Sequence, residues 1–184
     1  QLRHDSLHDS LTDVPNRALF VDRVEQHIKR QDADGDEPFS VVFLDLDRFK
    51  TVNESLGHAT GDKLLQRVAD RIQQCLRRSD TLARIGGDEF GLLLEGVDTE
   101  MKARSMATRI RDKLEKAFLP GEQKLYVSAS IGVVVNQGQY DSATALLRDA
   151  DRAMYRAKRD KLNQIAIFEG GVESALDGEA HLES

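Results

Sequence analysis

Apolar positions recur along the chain with two periods, one of two residues and one near 3.6, and these periods predict its strands and helices. Apolar and β-branched runs predict strands at residues 39–46, 81–85, 90–94, 125–135 and 165–168. Apolar stripes spaced by three and four predict long helices that begin near residues 14, 62, 99 and 142. This order favours an α/β (α+β) fold, with a mixed, mostly antiparallel central sheet flanked by helices and a ferredoxin-like core.

The same pattern predicts the limits of the folded domain. Residues 1–13 are polar and are interpreted as an N-terminal linker or stalk. The folded domain is predicted to cover residues 14–168. Residues 169–184 are acidic and contain glycine but few large apolar residues, so this tail is predicted to be disordered.

Residues next to the helices predict where they begin. Near the N-terminus, helical spacing is found at Leu7, Leu11 and Val14. A stalk helix is therefore expected to enter the domain, and Asp13 is the predicted cap of the first long helix. Polar residues 48–60 are interpreted as a connector, which places Asp62 in the first turn of the following helix.

Composition and charge narrow the function classes. Hydrophobic residues make up 40% of the 184 and charged residues 32%, as is typical of a globular domain. The net charge of -6 argues against non-specific binding to nucleic acid or an anionic membrane, because both require a basic surface. The single cysteine, Cys75, excludes an internal disulfide, and no apolar run approaches the roughly 20 residues that span a bilayer. A cytoplasmic domain is expected, although a parent protein could be anchored in a membrane.

Two carboxylates lie at the end of the strand predicted at residues 39–46. Because side chains alternate along a strand, Asp45 and Asp47 share a face with Val41 and Phe43. A buried carboxylate without compensation is costly, and a bound cation would remove the cost. The alternative is that both acids lie beyond the core and are hydrated.

A second pair of acids lies at the tip of the predicted hairpin, in the run Arg84-Ile85-Gly86-Gly87-Asp88-Glu89-Phe90. Acids on a tight turn beside a hydrophobic sheet are typical of a metal or phosphate site. Two glycines also allow a ligand to approach the backbone closely. By itself, however, the pair of glycines favours an ordinary permissive hairpin turn.

Further motifs surround the hairpin in a fixed order. They are Asp9-Ser10-Leu11-Thr12-Asp13-Val14-Pro15-Asn16-Arg17, Asp45-Leu46-Asp47-Arg48-Phe49-Lys50, Asn53, Gly57-His58, Gly61-Asp62, Ser130-Ile131-Gly132 and Ala150-Asp151-Arg152-Ala153-Met154-Tyr155-Arg156-Ala157-Lys158. Together with Gly86-Gly87-Asp88-Glu89-Phe90, this set resembles the GGDEF family of diguanylate cyclases over about residues 7–168. The resemblance implies a fold similar to nucleotidyl cyclase and polymerase palm domains.

The resemblance also implies an activity, the condensation of two GTP molecules into cyclic di-GMP with release of two pyrophosphates across a homodimer. It assigns Mg²⁺, with Mn²⁺ as an alternative, to Asp45, the Leu46 carbonyl and Asp88. Glu89 is expected to be an accessory ligand. Asp88 and Glu89 are the candidate bases for the attacking 3'-hydroxyl, and Asp88 is favoured.

Contacts to the nucleotide are assigned by the resemblance to Phe49, Lys50, Asn53, His58, Asp62, Gly86, Gly87 and Lys158. The carboxylate of Asp62, with Asn53 beside it, would accept the guanine N–H groups, and the lysines would reach phosphates. His58 could equally have a structural role. The sequence departs from the family where a glycine and a basic residue often follow this lysine motif, because Lys161 and Leu162 occupy those places.

The resemblance places a product-inhibition site at Arg77 and Asp80, joined by Arg109 from the next helix. Arginines suit the phosphates and guanine edges of a dimeric product. The alternative is a helix-end cation beside a capping aspartate. An upstream sensory domain and a downstream phosphodiesterase domain are expected partners in a parent protein. The alternative function is a catalytically silent module that binds GTP or cyclic di-GMP and regulates such a phosphodiesterase.

Overall fold

The structure, a computed structural model, describes residues 2–34, 37–162 and 164–169. Its helices are α1 (Leu2–Leu7), α2 (Arg17–Asp34), α3 (Phe49–Leu56), α4 (His58–Gln73), α5 (Glu100–Leu114) and α6 (Ala143–Arg159). Its strands are β1 (Phe39–Leu46), β2 (Thr81–Arg84), β3 (Glu89–Glu95), β4 (Ala129–Asn136) and β5 (Ile165–Glu169). Most of the predicted tail, residues 170–184, lies outside the described residues.

The five strands form one sheet in the order β2-β3-β1-β4-β5. All neighbouring pairs are antiparallel except β4 and β5, which are parallel and are joined through α6. The predicted fold, a mostly antiparallel mixed sheet flanked by helices, is therefore confirmed. Among the described residues, none of the helices combines the length and hydrophobicity that a bilayer crossing requires.

Strand β1 lies in the middle of the sheet and contributes to a hydrophobic cluster on each face. Val42, Leu44 and Leu46 pack in the cluster that contains the apolar stripes of α4 and α5. Phe39, Val41 and Phe43 pack in the other cluster, with α2 and α6. The alternation predicted for this strand is confirmed, and it places the Asp45 side chain on the α2/α6 face, at the end of the strand.

The stalk helix is shorter than its spacing predicted, and two expectations about helix starts were wrong. Helix α1 ends at Leu7, and a turn follows in which the Asp9 N–H donates to the Val14 carbonyl over 2.7 Å. Asn16, and not Asp13, caps α2, because its Oδ1 accepts the Leu19 N–H over 3.1 Å. The supposed connector 48–60 is helical, since it contains α3 and the start of α4.

Because α4 begins at His58, Asp62 lies in its second turn and not in its first. The apolar stripe of α4 is as expected and includes Leu64, Leu65 and Val68. The polar first turn of α4 carries no apolar stripe, so hydrophobic periodicity alone placed the start of this helix too late.

Gly132 is expected to be irreplaceable by alanine, because β4 and α6 touch there. A Cβ atom at this position would lie 2.1 Å from the Met154 backbone nitrogen. Gly132→Ala should therefore force the helix away from the sheet and lower the free energy of unfolding by about 3 kcal/mol. Urea unfolding of both proteins measures the difference.

The control is Gly121→Ala, where a Cβ atom would meet nothing within 4 Å. Its free energy of unfolding should stay within about 0.5 kcal/mol of the wild-type value. A Gly132→Ala protein as stable as this control would show that α6 can shift without cost.

Candidate active site

The predicted acids converge at one edge of the sheet. Strands β1 and β3 pair so that Asp45 lies opposite Glu89. One residue further, the Leu46 N–H donates to the Asp88 carbonyl over 3.2 Å, which places the hairpin tip beside the end of β1. The Asp88 carboxyl is close enough to Asp45 to raise its pKa. Segments distant in the chain therefore bring Asp45, Leu46 and Asp88 together, as predicted.

Asp45 has the chemistry of an incomplete cation site. Only 3% of its surface is exposed, and its Oδ1 finds no hydrogen-bond donor among the described residues. Burial and the neighbouring Asp88 carboxyl raise the pKa of Asp45 to about 7, although Lys158 opposes the shift. A carboxylate in this environment is costly to ionise unless a cation compensates its charge.

Lys158, near the end of α6, supplies part of that compensation. Its Nζ atom forms an ion pair with Asp45 Oδ2. Burial lowers the pKa of Lys158, but Asp45, Asp88 and Glu89 outweigh burial and leave the pKa above its ordinary value. The sequence predicted a phosphate contact for Lys158 and did not predict its contact with Asp45. The lysine side chain is 40% exposed, so it lies between the buried Asp45 and the surface.

The oxygen atoms at this edge fit a hard divalent cation. Asp45 Oδ1 is without a partner, Asp88 supplies a second carboxylate, and the Leu46 carbonyl belongs to the same strand end. Mg²⁺ prefers carboxylate and carbonyl oxygens. Within residues 2–34, 37–162 and 164–169, three His, Cys, Asp or Glu side chains do not gather in one metal cluster. The proposed ligand set therefore depends on the backbone carbonyl oxygen of Leu46. An accessory role for Glu89 stays a prediction.

The glycine turn is held by Arg84, whose role the sequence did not reveal. The Arg84 guanidinium donates to the Gly87 carbonyl over 2.8 and 3.2 Å. The same guanidinium donates to both carboxylate oxygens of Asp9, over 3.1 and 3.2 Å. Asp9 also accepts the backbone and hydroxyl hydrogens of Thr12. Its burial favours the neutral acid, but these hydrogen bonds prevail and lower the pKa of Asp9.

The signature glycines leave the turn open to a ligand. Gly86 and Gly87 are both exposed, and a Cβ atom on Gly87 would meet nothing within 4 Å. A Cβ atom on Gly86 would lie 3.3 Å from Glu89 Oε2, which is closer than ordinary contact. Gly86 thus gives room to the Glu89 side chain, while Gly87 leaves free surface above the turn. This arrangement agrees with the predicted close approach of a nucleotide, which stays a prediction.

The predicted nucleotide residues lie on two consecutive helices after β1. Phe49 is buried at the start of α3. Lys50 is exposed, and its Nζ lies 3.7 Å from Glu54 Oε1. Asn53 faces α4 closely, because a Cβ atom on Gly61 would lie 1.9 Å from Asn53 Oδ1. That oxygen is buried and has no partner among the described residues.

His58 and Asp62 are exposed on the first two turns of α4. Within the described part of the chain, neither side chain contacts a partner that would give it a structural role. Both residues, like Lys50 and Asn53, stay predicted contacts to a nucleotide.

The predicted inhibitory residues have different environments. Arg77 and Arg109 are exposed, whereas Asp80 is 8% exposed. Asp80 Oδ2 accepts the Arg77 N–H over 2.9 Å, and Oδ1 accepts the Glu95 N–H over 3.2 Å. Asp80 therefore holds the turn before β2 against β3, which is the capping role considered as the alternative. A cavity of about 320 Å³ on α5 is lined by Arg109 but not by Arg77.

Comparison with known proteins agrees with these motifs. The sequence model described as "Diguanylate cyclase, GGDEF domain" matches residues 6–164. The bifunctional diguanylate cyclase/cyclic di-GMP phosphodiesterase MucR of Pseudomonas aeruginosa is 40% identical over 92% of this chain and 24% of its own length. The diguanylate cyclase TpbB of P. aeruginosa is 38% identical over the full chain and 42% of its own length.

A solved structure of the GGDEF domain of TpbB superposes with a TM-score of 0.82 at 39% identity, and the match covers 88% of this chain and 94% of that one. The chain thus spans well under half the length of these curated relatives, but nearly all of an isolated GGDEF domain. Family model, relatives and solved structure all lead to one conclusion: the chain belongs to the GGDEF family of diguanylate cyclase domains.

Proposed function

We propose that this domain condenses two GTP molecules into cyclic di-GMP and releases two pyrophosphates. One observation carries the proposal: the buried Asp45 faces Asp88 beside the glycine turn, and its Oδ1 has no partner in the described part of the chain. Family membership, given above, supplies the reaction class. A divalent cation, Mg²⁺ or Mn²⁺, would be held by Asp45, the Leu46 carbonyl and Asp88, with Glu89 as accessory ligand.

Each bond-forming event is a phosphoryl transfer. The 3'-oxygen of one GTP attacks the α-phosphorus of the other, an O–P bond forms, the α–β bridging bond breaks, and pyrophosphate leaves. Asp88, or Glu89 beside it, accepts the hydroxyl proton. A divalent cation held by Asp45, the Leu46 carbonyl and Asp88 would supply positive charge against the charge that develops on the phosphates. Lys158 and Lys50 hold phosphates as positive point charges, and the second transfer repeats the first with the roles of the nucleotides exchanged.

The chain's other residues orient the nucleotide. Asp62 and Asn53 accept and donate hydrogen bonds at the guanine edge, and Phe49 and His58 shape the pocket around it. The backbone of Gly86 and Gly87 approaches the ribose and phosphates. Asn53 is supported by its buried Oδ1 atom, which has no partner among the described residues and could accept a guanine N–H.

Catalysis requires a homodimer under this proposal. One domain offers one set of Asp45, Asp88 and Lys158, whereas the product contains two equivalent phosphodiester links. Two domains that face each other at this sheet edge would each supply one activated GTP.

The test of the function is synthesis by an enforced dimer. The domain fused to a parallel coiled coil, incubated with GTP and Mg²⁺, is expected to form cyclic di-GMP and two equivalents of pyrophosphate. The unfused domain at the same low concentration should be at least about 10-fold slower, because dimerisation is then limited by effective concentration. Liquid chromatography with mass detection measures the product. A fused dimer that binds GTP but forms no cyclic di-GMP contradicts the proposal.

The second candidate function is the catalytically silent module. It is favoured by the cyclic di-GMP phosphodiesterase PdeR of Escherichia coli, which is 39% identical over 87% of this chain and whose name gives phosphodiesterase activity alone. A domain that binds GTP without turning it over, and that alters an attached phosphodiesterase, would support this alternative. An upstream sensory domain and a downstream phosphodiesterase domain are proposed partners under either function.

Product inhibition is proposed at Arg77, Asp80 and Arg109. Arg77→Ala is expected to weaken cyclic di-GMP binding about 10-fold, because one exposed guanidinium that can pair with phosphate is removed. Isothermal titration of cyclic di-GMP into both proteins, with GTP absent, measures the change. Arg78→Ala, which removes an equally exposed neighbouring arginine, is the control. Asp80 is unsuitable as a test position because it also holds the turn. Equal affinities of Arg77→Ala and wild type would contradict the inhibitory site.

A further inference from the structure

Two aspartates at the end of β1 have opposite environments. Asp45 leaves one oxygen without a partner, as described above. Asp47, two residues further along the same face, has its carboxylate surrounded by donors. The two aspartates at this strand end therefore have different roles.

The Asp47 carboxylate accepts three side-chain hydrogen bonds. Ser130 Oγ donates to Oδ1 over 2.7 Å, and Ser128 Oγ donates to Oδ2 over 2.7 Å. Gln164 Nε2 donates to Oδ2 over 3.0 Å. The Asp47 backbone N–H also donates to the Ser128 carbonyl over 2.9 Å. These residues form what we call the Asp47 clamp: Asp47, Ser128, Ser130 and Gln164.

The clamp joins three strand ends at the active-site edge. Asp47 directly follows β1, Ser128 and Ser130 lie at the start of β4, and Gln164 directly precedes β5. Gln164 is itself tied to β4, because its carbonyl accepts the Ile131 N–H over 2.8 Å. The clamp thus holds the segment after Lys158, which contains Gln164, against the end of β1, which carries the Leu46 carbonyl.

The clamp also precedes a strained turn. Arg48 has a φ of 57°, in the left-handed region that residues other than glycine rarely adopt. This residue is the N-cap of α3 and sends the chain from β1 into the helix that carries Phe49, Lys50 and Asn53. A backbone held in this region persists when its surroundings determine it. Asp47 supplies four hydrogen bonds on the β1 side of the turn.

We propose that Asp47 is a positioning residue, which through Ser128, Ser130 and Gln164 fixes both the Leu46 carbonyl for the cation and α3 for the nucleotide. The inference rests on the proposed function, because it assumes that this edge binds a cation with GTP. Asp47 itself is not a ligand, since its oxygens already accept hydrogen bonds from three side chains. Outer partners of this kind orient the groups that bind a metal, and their loss typically weakens metal binding about 10- to 100-fold.

The experiment measures binding without turnover. The probe is Mn²⁺ with a non-hydrolysable GTP analogue, and the dissociation constant of Mn²⁺ is read by electron paramagnetic resonance. The variants are Asp47→Asn and the double variant Ser128→Ala/Ser130→Ala. The control is Asp98→Asn, which removes an exposed carboxylate paired with Lys102 over 2.6 Å. Melting temperatures are recorded for all four proteins.

Asp47→Asn and the serine double variant are both expected to weaken Mn²⁺ binding at least about 10-fold, and Asp98→Asn by less than about twofold. A lower melting temperature with unchanged Mn²⁺ affinity would overturn the proposal, because the clamp would then be merely structural. A loss in Asp47→Asn that the serine variant does not share would also overturn it, since Asp47 would act directly on the ligand.

The wild-type protein separates this inference from the function on which it rests. If wild type binds Mn²⁺ with the analogue and the variants match it, the inference alone fails. If wild type does not bind them, the proposed function fails and the inference falls with it. Should Asp47→Asn not fold, the serine variant, which removes only two hydroxyl groups, still decides the question.

Discussion

Asparagine in place of Asp45 is expected to raise the melting temperature of the metal-free domain and, in the same protein, to abolish cyclic di-GMP synthesis. The two effects have one cause. Asp45 is buried and faces the Asp88 carboxyl, and none of the residues that the structure describes gives its Oδ1 a partner. Its negative charge therefore destabilises the metal-free fold and is useful only when a cation is bound. Functional sites commonly carry such a cost.

The expected gain in stability is about 1 kcal/mol, or about 2–4 °C for a domain of this size. The gain is small because the substitution also removes the ion pair with Lys158. The loss of synthesis should reach at least about 10³-fold, since a cation ligand is removed from a phosphoryl-transfer site. Melting should be measured without divalent ions at pH 8, above the raised pKa of about 7, so that Asp45 is ionised.

Asp149→Asn is the matched control. Asp149 is also buried, at 8% exposed, but Tyr140 donates to its Oδ2 over 2.6 Å and Arg152 lies 3.7 Å from its Oδ1. Neutralising this satisfied carboxylate should lower the melting temperature and leave synthesis in place. The interpretation of Asp45 is contradicted if Asp45→Asn melts below wild type, or if it still makes product.

The sheet could be predicted from the sequence because its pattern is strong. Strand β1 alternates between Val41 and Phe43 on one side and Val42 and Leu44 on the other, and the two sets enter different clusters. Helices cover both faces of this central strand, so the alternation of its side chains directly reflects how the sheet packs. The predicted positions of Asp45 and the hairpin acids followed from the same rule.

Periodicity led to wrong predictions for the N-terminal segment and for α3. Leu11 and Val14 have helical spacing, yet both pack on the core from a turn in which Asp13 has a φ of 61°. Their burial is determined by contacts with distant elements, which local spacing does not encode. Helix α3 has only 8 residues, and of its helically spaced apolar residues, Phe49, Val52 and Leu56, only Phe49 is buried, so its apolar stripe is too short to mark a helix clearly.

At the site, the residue types were predictable and their partners were not. The resemblance placed Asp45 and Asp88 in one metal set, and the structure brings them together. The contacts of Lys158 with Asp45 and of Arg84 with Asp9 join segments that lie far apart in the chain. The role of Arg84 in holding the turn could have been suspected only because this residue lies two positions before Gly86. Such pairings depend on the register of the sheet and on how α6 packs against it.

Methionine in place of Lys158 is expected to have the opposite effect on stability, and again to suppress synthesis. Without the ammonium group, Asp45 loses the ion pair that opposes its raised pKa and still faces Asp88. Breaking a fully buried pair costs about 3–5 kcal/mol, but 40% of this lysine is exposed. A loss of about 1–2 kcal/mol in the metal-free domain is therefore expected. Synthesis should fall about 100-fold, because a positive charge is removed from the phosphates.

A double-mutant cycle isolates the contact between the two residues. In the Asp45→Asn background, Lys158→Met should cost almost no stability, since the charge that Lys158 compensates is gone. The matched control is Lys102→Met with Asp98→Asn, an exposed pair at 2.6 Å whose coupling should stay small because solvent screens it. Urea unfolding without divalent ions measures all members of both cycles.

Mg²⁺ distinguishes compensation of charge from simple packing by the lysine stem. A divalent cation at Asp45 Oδ1 would supply the charge that Lys158→Met removes, so saturating Mg²⁺ should return most of the lost stability to that variant. It should return none to Lys158→Met in the Asp45→Asn background. Equal stabilisation of both proteins by Mg²⁺, or a coupling no larger than that of Lys102 with Asp98, would mean that Lys158 does not compensate the charge of Asp45. In that case the raised pKa of Asp45 would reflect burial and Asp88 alone, and the cation site would have to be explained without the lysine.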